Sequence, residues 1–278
     1  MKKKIVLVIA VALVMVTSLA MLIGCTPSKP DKYMQKWIDS KEKSITSISD
    51  DIDYVTEVDK KTGEIKHVKG KTIVETSTII NENVKMMKMI EISTKIDEKT
   101  GKEAKTSTIK PTGSKIFEWD SKANKYNVYT YALKIEQKEV AGGAKEYVQT
   151  GEWTATQMSK EDAEKDITFM VIKESETSYT EQCKAVIKDF DKNFKKNKSG
   201  QYEGKVSIDI PTITPDGQGS TTVEWNMKLK VKDSDLQFEI KMGDETQKGR
   251  ANYKEKITIS SGAKTALDKF LNPDKYKK

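Results

Sequence analysis

Met34, Trp37, Ile38, Ile45 and Ile48 fall at offsets 0, 3, 4, 11 and 14, one stripe of a 3.6-residue period, and predict a helix over residues 31–49. Period-two alternation then dominates to about residue 156. In the stretch 84–96, Val84, Met86, Ile90, Ile92 and Ile96 share one face, while Lys85, Glu91, Ser93 and Lys95 share the other with Met87 and Met89. That is the signature of an antiparallel strand with one covered side and one wet side. Phe117 and Trp119, then Tyr129, Tyr131, Leu133 and Ile135, continue it. Residues 59–64 (DKKTGE) and 97–102 (DEKTGK) are near copies, each with Asp opening and Gly near the end, as hairpin turns require. Gly142 and Gly143 mark a further turn.

A helical interlude follows. Ser159 is a weak cap, and residues 178–181 (SYTE) match a capping box. Behind it Tyr179, Cys183, Val186, Ile187, Phe190 and Phe194 form an apolar stripe that stops near residues 198–200. Strands return with Val206, Ile208 and Ile210, a turn at residues 215–217, and unbroken alternation in Val223, Trp225, Met227, Leu229 and Val231. Leu236, Phe238, Ile240 and Met242 make the partner of a hairpin; Tyr253, Ile257 and Ile259 predict the last strand, and residues 263–271 a closing helix. The fold class expected is α+β: a curved antiparallel β-sheet of half-barrel-like meanders, with amphipathic helices packed on one face. The order helix, meander, helix, meander raises a duplication into two helix-plus-sheet units, over residues 31–156 and 157–278, within one continuous globular unit.

The amino terminus has a different character. Lys2, Lys3 and Lys4 precede an apolar run over residues 5–23, interrupted only by Thr17 and Ser18. This is the layout of a secretory signal, although the run is long enough to span a bilayer. Leu22, Ile23, Gly24 and Cys25 decide between the two, because they resemble the bacterial lipobox. There a small residue precedes a cysteine whose thiol takes a lipid and which becomes the new amino terminus. The resemblance implies a signal peptide over residues 1–24, cleavage between Gly24 and Cys25, lipidation of Cys25, and a short tether to residue 30 stiffened by Pro27 and Pro30. The protein is then exported and anchored to the outer face of the cell membrane or envelope, with the membrane as its partner through the lipid.

Composition narrows the chemistry. The chain has 278 residues, 49 basic and 42 acidic, with a formal charge of +7 that falls to +4 when residues 1–24 and their three lysines are removed. Arg250 is the one arginine, and lysines alternate with Glu, Asp and Thr. Nucleic-acid recognition wants clustered cations and Arg forks, so this pattern argues against it. With His67 the one histidine, and Cys183 the one thiol left once Cys25 carries lipid, neither a His-based triad, a zinc cluster nor an internal disulfide is expected. No glycine-rich phosphate loop appears, no cofactor or metal is implied, and the reading is non-enzymatic. His67 reads as an exposed strand residue and Cys183 as a small buried hydrophobe.

The apolar face itself is the remaining candidate. Met86, Trp119, Phe190, Phe194, Trp225, Met227 and Phe238 supply flexible and aromatic surface, either as ordinary core or as the lining of a cavity for a lipid or apolar small molecule. The lipobox, the amphipathic first helix and the meander together resemble the LolA-like lipoprotein carriers, and this resemblance implies a half-barrel closed by helices over a lipid cavity. The alternative is a surface or envelope lipoprotein of structural or adhesive role, with no cavity.

Overall fold

A computed structural model describes residues 29–214 and 217–277; the lipobox, with Gly24 and Cys25, lies outside the described residues, as does the turn at residues 215–216. The first helix, α1 (Pro30–Asp39), is shorter than its stripe predicts. Ser40 ends it, and Lys43–Ile48 is a strand, β1. Ile45 and Ile48 matched the helical period by coincidence, because the segment KSITSI is rich in β-branched residues.

The meander continues through β2 (Ile52–Val58), β3 (Ile65–Ile80), β4 (Val84–Lys95), β5 (Thr108–Asp120), β6 (Lys125–Glu139) and β7 (Lys145–Met158). Both DxxTG turns form as expected: Asp59 accepts from the amides of Lys61 and Thr62, Asp97 from those of Lys99 and Thr100, and Gly63 and Gly101 take positive φ. Helices α2 (Lys160–Lys165) and α3 (Ile167–Lys188) follow. The SYTE box lies inside α3 and caps nothing; the cap is Asp166, which accepts from the Thr168 amide and also binds Lys115 of β5. A short turn of helix, α4 (Phe190–Asn193), leads to β8 (Phe194–Lys196), β9 (Tyr202–Thr214), β10 (Gly217–Lys232), β11 (Asp235–Met242), β12 (Glu245–Asn252) and α5 (Ser261–Leu271).

Antiparallel pairing joins all twelve strands among the described residues into one open, curved sheet of order β7-β6-β5-β4-β3-β1-β12-β11-β10-β9-β8, with β2 pairing the free length of β3. The α+β class and the antiparallel sheet agree with the sequence reading; three particulars differ. The last strand is β12, and Tyr253 to Ile259 adds none. Its sequence, ETQKGRAN, hides it, because the side facing the core carries Gln247, Gly249 and Ala251 and no large apolar residue. The pairing of helix with meander is the second difference, within a single sheet that joins residues 31–156 to 157–278. α1 packs on β10 and β11, α5 on β6 and β7, and α3 touches both β4 and β9, so each terminal helix covers the opposite meander.

Helices also lie on both faces. Ile116 and Phe117 are neighbours on β5, so they point to opposite sides, and both are fully buried. Phe117 packs with Ile80, Val128, Phe169 and Ile172 under α2 and α3; Ile116 packs with Tyr129 and Ala263 under α5. The wet face expected of β4 is therefore partly covered as well, and Met87 there packs against the Phe117 cluster. The largest core is in the carboxy-terminal half, where Tyr33, Met34 and Trp37 of α1 and Tyr179, Cys183 and Val186 of α3 meet Trp225, Leu229, Leu236 and Phe238.

Candidate functional site

The seven residues singled out as cavity lining do not converge on one site. Phe190 and Phe194 stack with ring centroids 5.0 Å apart, and Phe190 meets Tyr202 at 5.3 Å. These two, with Trp225, Met227 and Phe238, are all buried in the core beneath α1 and α3. Met86 belongs to the separate cluster under α5, and Trp119 packs edge-on to Tyr126 at 4.9 Å, away from both. Side chains that fill one another's space in this way act as packing, with dispersion contacts where a ligand would sit.

Two recesses open beside this packing, and of the seven residues Phe238 alone borders either of them. A recess of about 420 Å³ separates α3 from the middle of the sheet. Its existence follows from side-chain size: Ser47 of β1 and Thr76 and Thr78 of β3 face the helix, and these small hydroxyl residues do not reach it. Ser175, Ser178 and Gln182 line the helical wall, while Met87, Val171 and Phe238 supply apolar edges. Beside it, Lys43 pairs with Glu176 at 3.0 Å and lies over the Trp37 ring at 4.7 Å, which pins α3 to the sheet. Tyr179 borders the recess, and burial, with Cys183 beside its hydroxyl, pushes it well above the usual tyrosine range. The sequence signal for this recess is the pair of hydroxyls at alternate positions, Thr76 and Thr78, with Ser47 on the neighbouring strand, which a reading for apolar lining passes over.

A second recess, of about 530 Å³, lies beneath the distal part of the β6–β7 ribbon. β5 pairs β6 only as far as Gly113, opposite Ala132, and beyond it Pro111 stands at an irregularity in the β4–β5 pairing. A proline there has no amide to donate, so it suits the point where β6 and β7 part from the sheet. The ribbon returns over β2. The Tyr147 amide donates to the Lys60 carbonyl at 2.8 Å, Lys60 pairs with Glu146 at 3.1 Å, and Lys110 binds Gln149. The Tyr147 ring lies so close to Gly63 that a Cβ there would come within 2.8 Å of it. Glu57, Glu91, Lys95 and Lys110 give this recess charges of both signs.

Neither recess holds a recognisable catalytic arrangement. Cys183 is fully buried, and desolvation pushes its thiol up to about 12, far from nucleophilic at neutral pH. His67 is exposed on β3, its ring 4.1 Å from that of Tyr54. Among the described residues no group of three His, Cys, Asp or Glu side chains is placed to hold a metal, and no helix is long and apolar enough to cross a membrane. No known protein family, curated protein or solved structure matches the chain.

Proposed function

We propose that this protein is an exported lipoprotein, held at the outer face of a membrane through lipid on Cys25, and that it works there as a non-enzymatic interaction module of the surface or envelope. The alternative stated from sequence thus becomes the preferred reading over the lipid carrier. One observation carries that choice: Phe190, Phe194, Trp225, Met227 and Phe238, the residues expected to line an acyl cavity, are packed against one another and against α1. The two recesses mix hydroxyl or charged side chains with apolar ones, Ser47, Thr76 and Thr78 beside Ile45, Met87 and Val171 in the first and Glu57, Glu91 and Lys110 beside Val55, Val58 and Val148 in the second, so each offers polar partners along with apolar surface. The broad sheet, ionic on much of its exposed surface and tied at its centre, is a rigid platform for such contacts.

Native mass spectrometry of the chain from Thr26 onward tests the choice. The protein should be recovered free of lipid and should take up none when offered a fatty acid. A stoichiometric co-purified lipid would instead restore the carrier. Cys25→Ala, expressed from the full chain, should remain uncleaved and without lipid by intact mass; normal processing of that variant would end the lipoprotein reading.

A further inference from the structure

Five residue steps of chain lead from Cys25 to Pro30, the first residue of α1. Fully extended they reach about 17 Å, at no more than ~3.3–3.6 Å per residue. The bilayer that holds the lipid must therefore lie within that distance of the start of α1. The fold places a concentrated positive surface at this point. Lys29 pairs with Asp191 at 2.9 Å, which ties the amino-terminal entry to α4 and β8. Lys196 lies 5.8 Å over the Tyr202 ring, on the strand that pairs with β8. Residues 188–198 carry five lysines (Lys188, Lys192, Lys195, Lys196 and Lys198), all exposed, against Asp189 and Asp191, and Asp191 is already engaged by Lys29.

The segment projects its lysines outward for a structural reason. Phe190 and Phe194 are both buried and anchor it to the core, which turns Lys192 between them to solvent, while Lys188, Lys195, Lys196 and Lys198 on either side are exposed as well. None of the five lysines makes an ion pair with a described residue. The carboxy-terminal lysines differ on both counts: Lys275 pairs with Asp268 at 2.7 Å and Lys277 with Asp274 at 2.6 Å, and they follow α5, which packs at the β7 side of the sheet. β8 and β7 are the two ends of the strand order, ten steps apart. At ~4.8 Å per step this is about 48 Å along the curved sheet.

We infer that Lys188, Lys192, Lys195, Lys196 and Lys198 form a membrane-facing patch that binds the anionic headgroups of the bilayer carrying the anchor. The molecule then stands on its β8 edge, with β7 and the overlying β6–β7 ribbon directed away from the membrane. This rests on the lipidation of Cys25 proposed above. Each lysine near an anionic surface strengthens partition about fivefold, and the contribution is confined to within a Debye length, about 8 Å at physiological salt.

The test separates the patch from the anchor. The chain from Thr26 onward, which carries every element described, is mixed with phosphatidylcholine vesicles, with and without phosphatidylglycerol, and followed by co-sedimentation. Binding should require phosphatidylglycerol, weaken with added salt, and fall about a hundredfold in Lys192→Gln/Lys195→Gln/Lys198→Gln. Lys99→Gln/Lys102→Gln/Lys105→Gln, changed in an exposed loop on the other meander, should bind as the parent chain does. Equal partition to both vesicle types, or unchanged binding by the first triple variant with its circular dichroism intact, would overturn the patch. Mass spectrometry of the amino-terminal peptide reads the anchor separately: an unmodified Cys25 sinks the anchor and the orientation, and leaves the headgroup binding of the lipid-free chain as an independent result.

Discussion

Arg250 of β12 grips Glu75 of β3 with a two-pronged fork, its terminal nitrogens donating to the two carboxylate oxygens at 2.6 and 2.8 Å. The two residues lie on either side of β1, where Thr46 stands opposite Arg250 and Ile48 opposite Glu75. The chain's one arginine therefore fastens the amino-terminal meander to the carboxy-terminal one. Arg250→Lys keeps the charge but cannot make both bonds, and should cost about 1–2 kcal/mol, given that the pair is partly buried. Chemical denaturation of the variant would check this, with the expected change in midpoint and little change in slope.

The same pair sets a pH dependence. Arg250's hydrogen bonds hold the Glu75 carboxyl below its ordinary value. The ionised form is thus favoured by folding, so its contribution is complete above the unfolded glutamate value of about 4.3 and is lost as pH falls through the lower folded value. Glu75→Gln should lower stability at neutral pH and flatten the acid limb of the stability curve across that window. Thermal melts at a series of pH values would read it, and parallel acid limbs for the two proteins would refute the assignment.

Trp37 seats α1 on the foreign meander. It is fully buried, donates from Nε1 to the Ser44 carbonyl at 3.0 Å, and packs edge-on to Tyr179 at 4.7 Å. Trp37→Ala should cost about 3–5 kcal/mol through lost burial and a residual cavity. Trp37→Phe should recover most of that loss, because it restores area and leaves only the carbonyl without its partner. Urea titration of both variants would establish the order.

Gly249 is required by close packing. A Cβ there would meet the Thr46 carbonyl oxygen at 2.4 Å and the Phe238 ring at 2.5 Å, one of them backbone and unable to move aside. Gly249→Ala should destabilise the fold by about 1–3 kcal/mol, the usual cost of overpacking. A stabilised or neutral variant would contradict the placement of β12 between β1 and β11.

Cys183 should behave as a reporter of unfolding. With its thiol pushed up to about 12 by burial, it should resist an aromatic disulfide reagent in native buffer and react at once in denaturant. Rapid native labelling would show that the core around α3 opens easily.

The alternation in Val84 to Ile92, Phe117, Trp225 to Val231 and Leu236 to Met242 made these strands and their hairpins legible, since a period of two is a local property. The 3.6-residue stripe was legible as well, as buried positions, although α3 ends at Lys188 and its last two members, Phe190 and Phe194, belong to α4 and β8. What failed was local pattern without tertiary support: SYTE had the letters of a capping box inside an uninterrupted helix, and Ile45 and Ile48 had helical spacing in a strand. β12 failed in the opposite way. It is a central strand with small residues on its covered side, so its burial comes from neighbours and leaves no apolar trace.

By itself, then, the sequence determined the α+β class, the turns, most strands and the apolar residues that would be buried, because propensity, turn chemistry and periodicity act over a few residues. Only the tertiary structure decided which helix covers which meander, that both faces are covered, and that the aromatic and methionine positions fill the core. Those outcomes depend on contacts between segments more than two hundred residues apart, such as the Tyr33 hydroxyl shared between the Ser234 and Ala251 carbonyls, 201 and 218 residues away. Periodicity tells a chain which side of an element seeks cover, and only the assembled sheet settles what provides it.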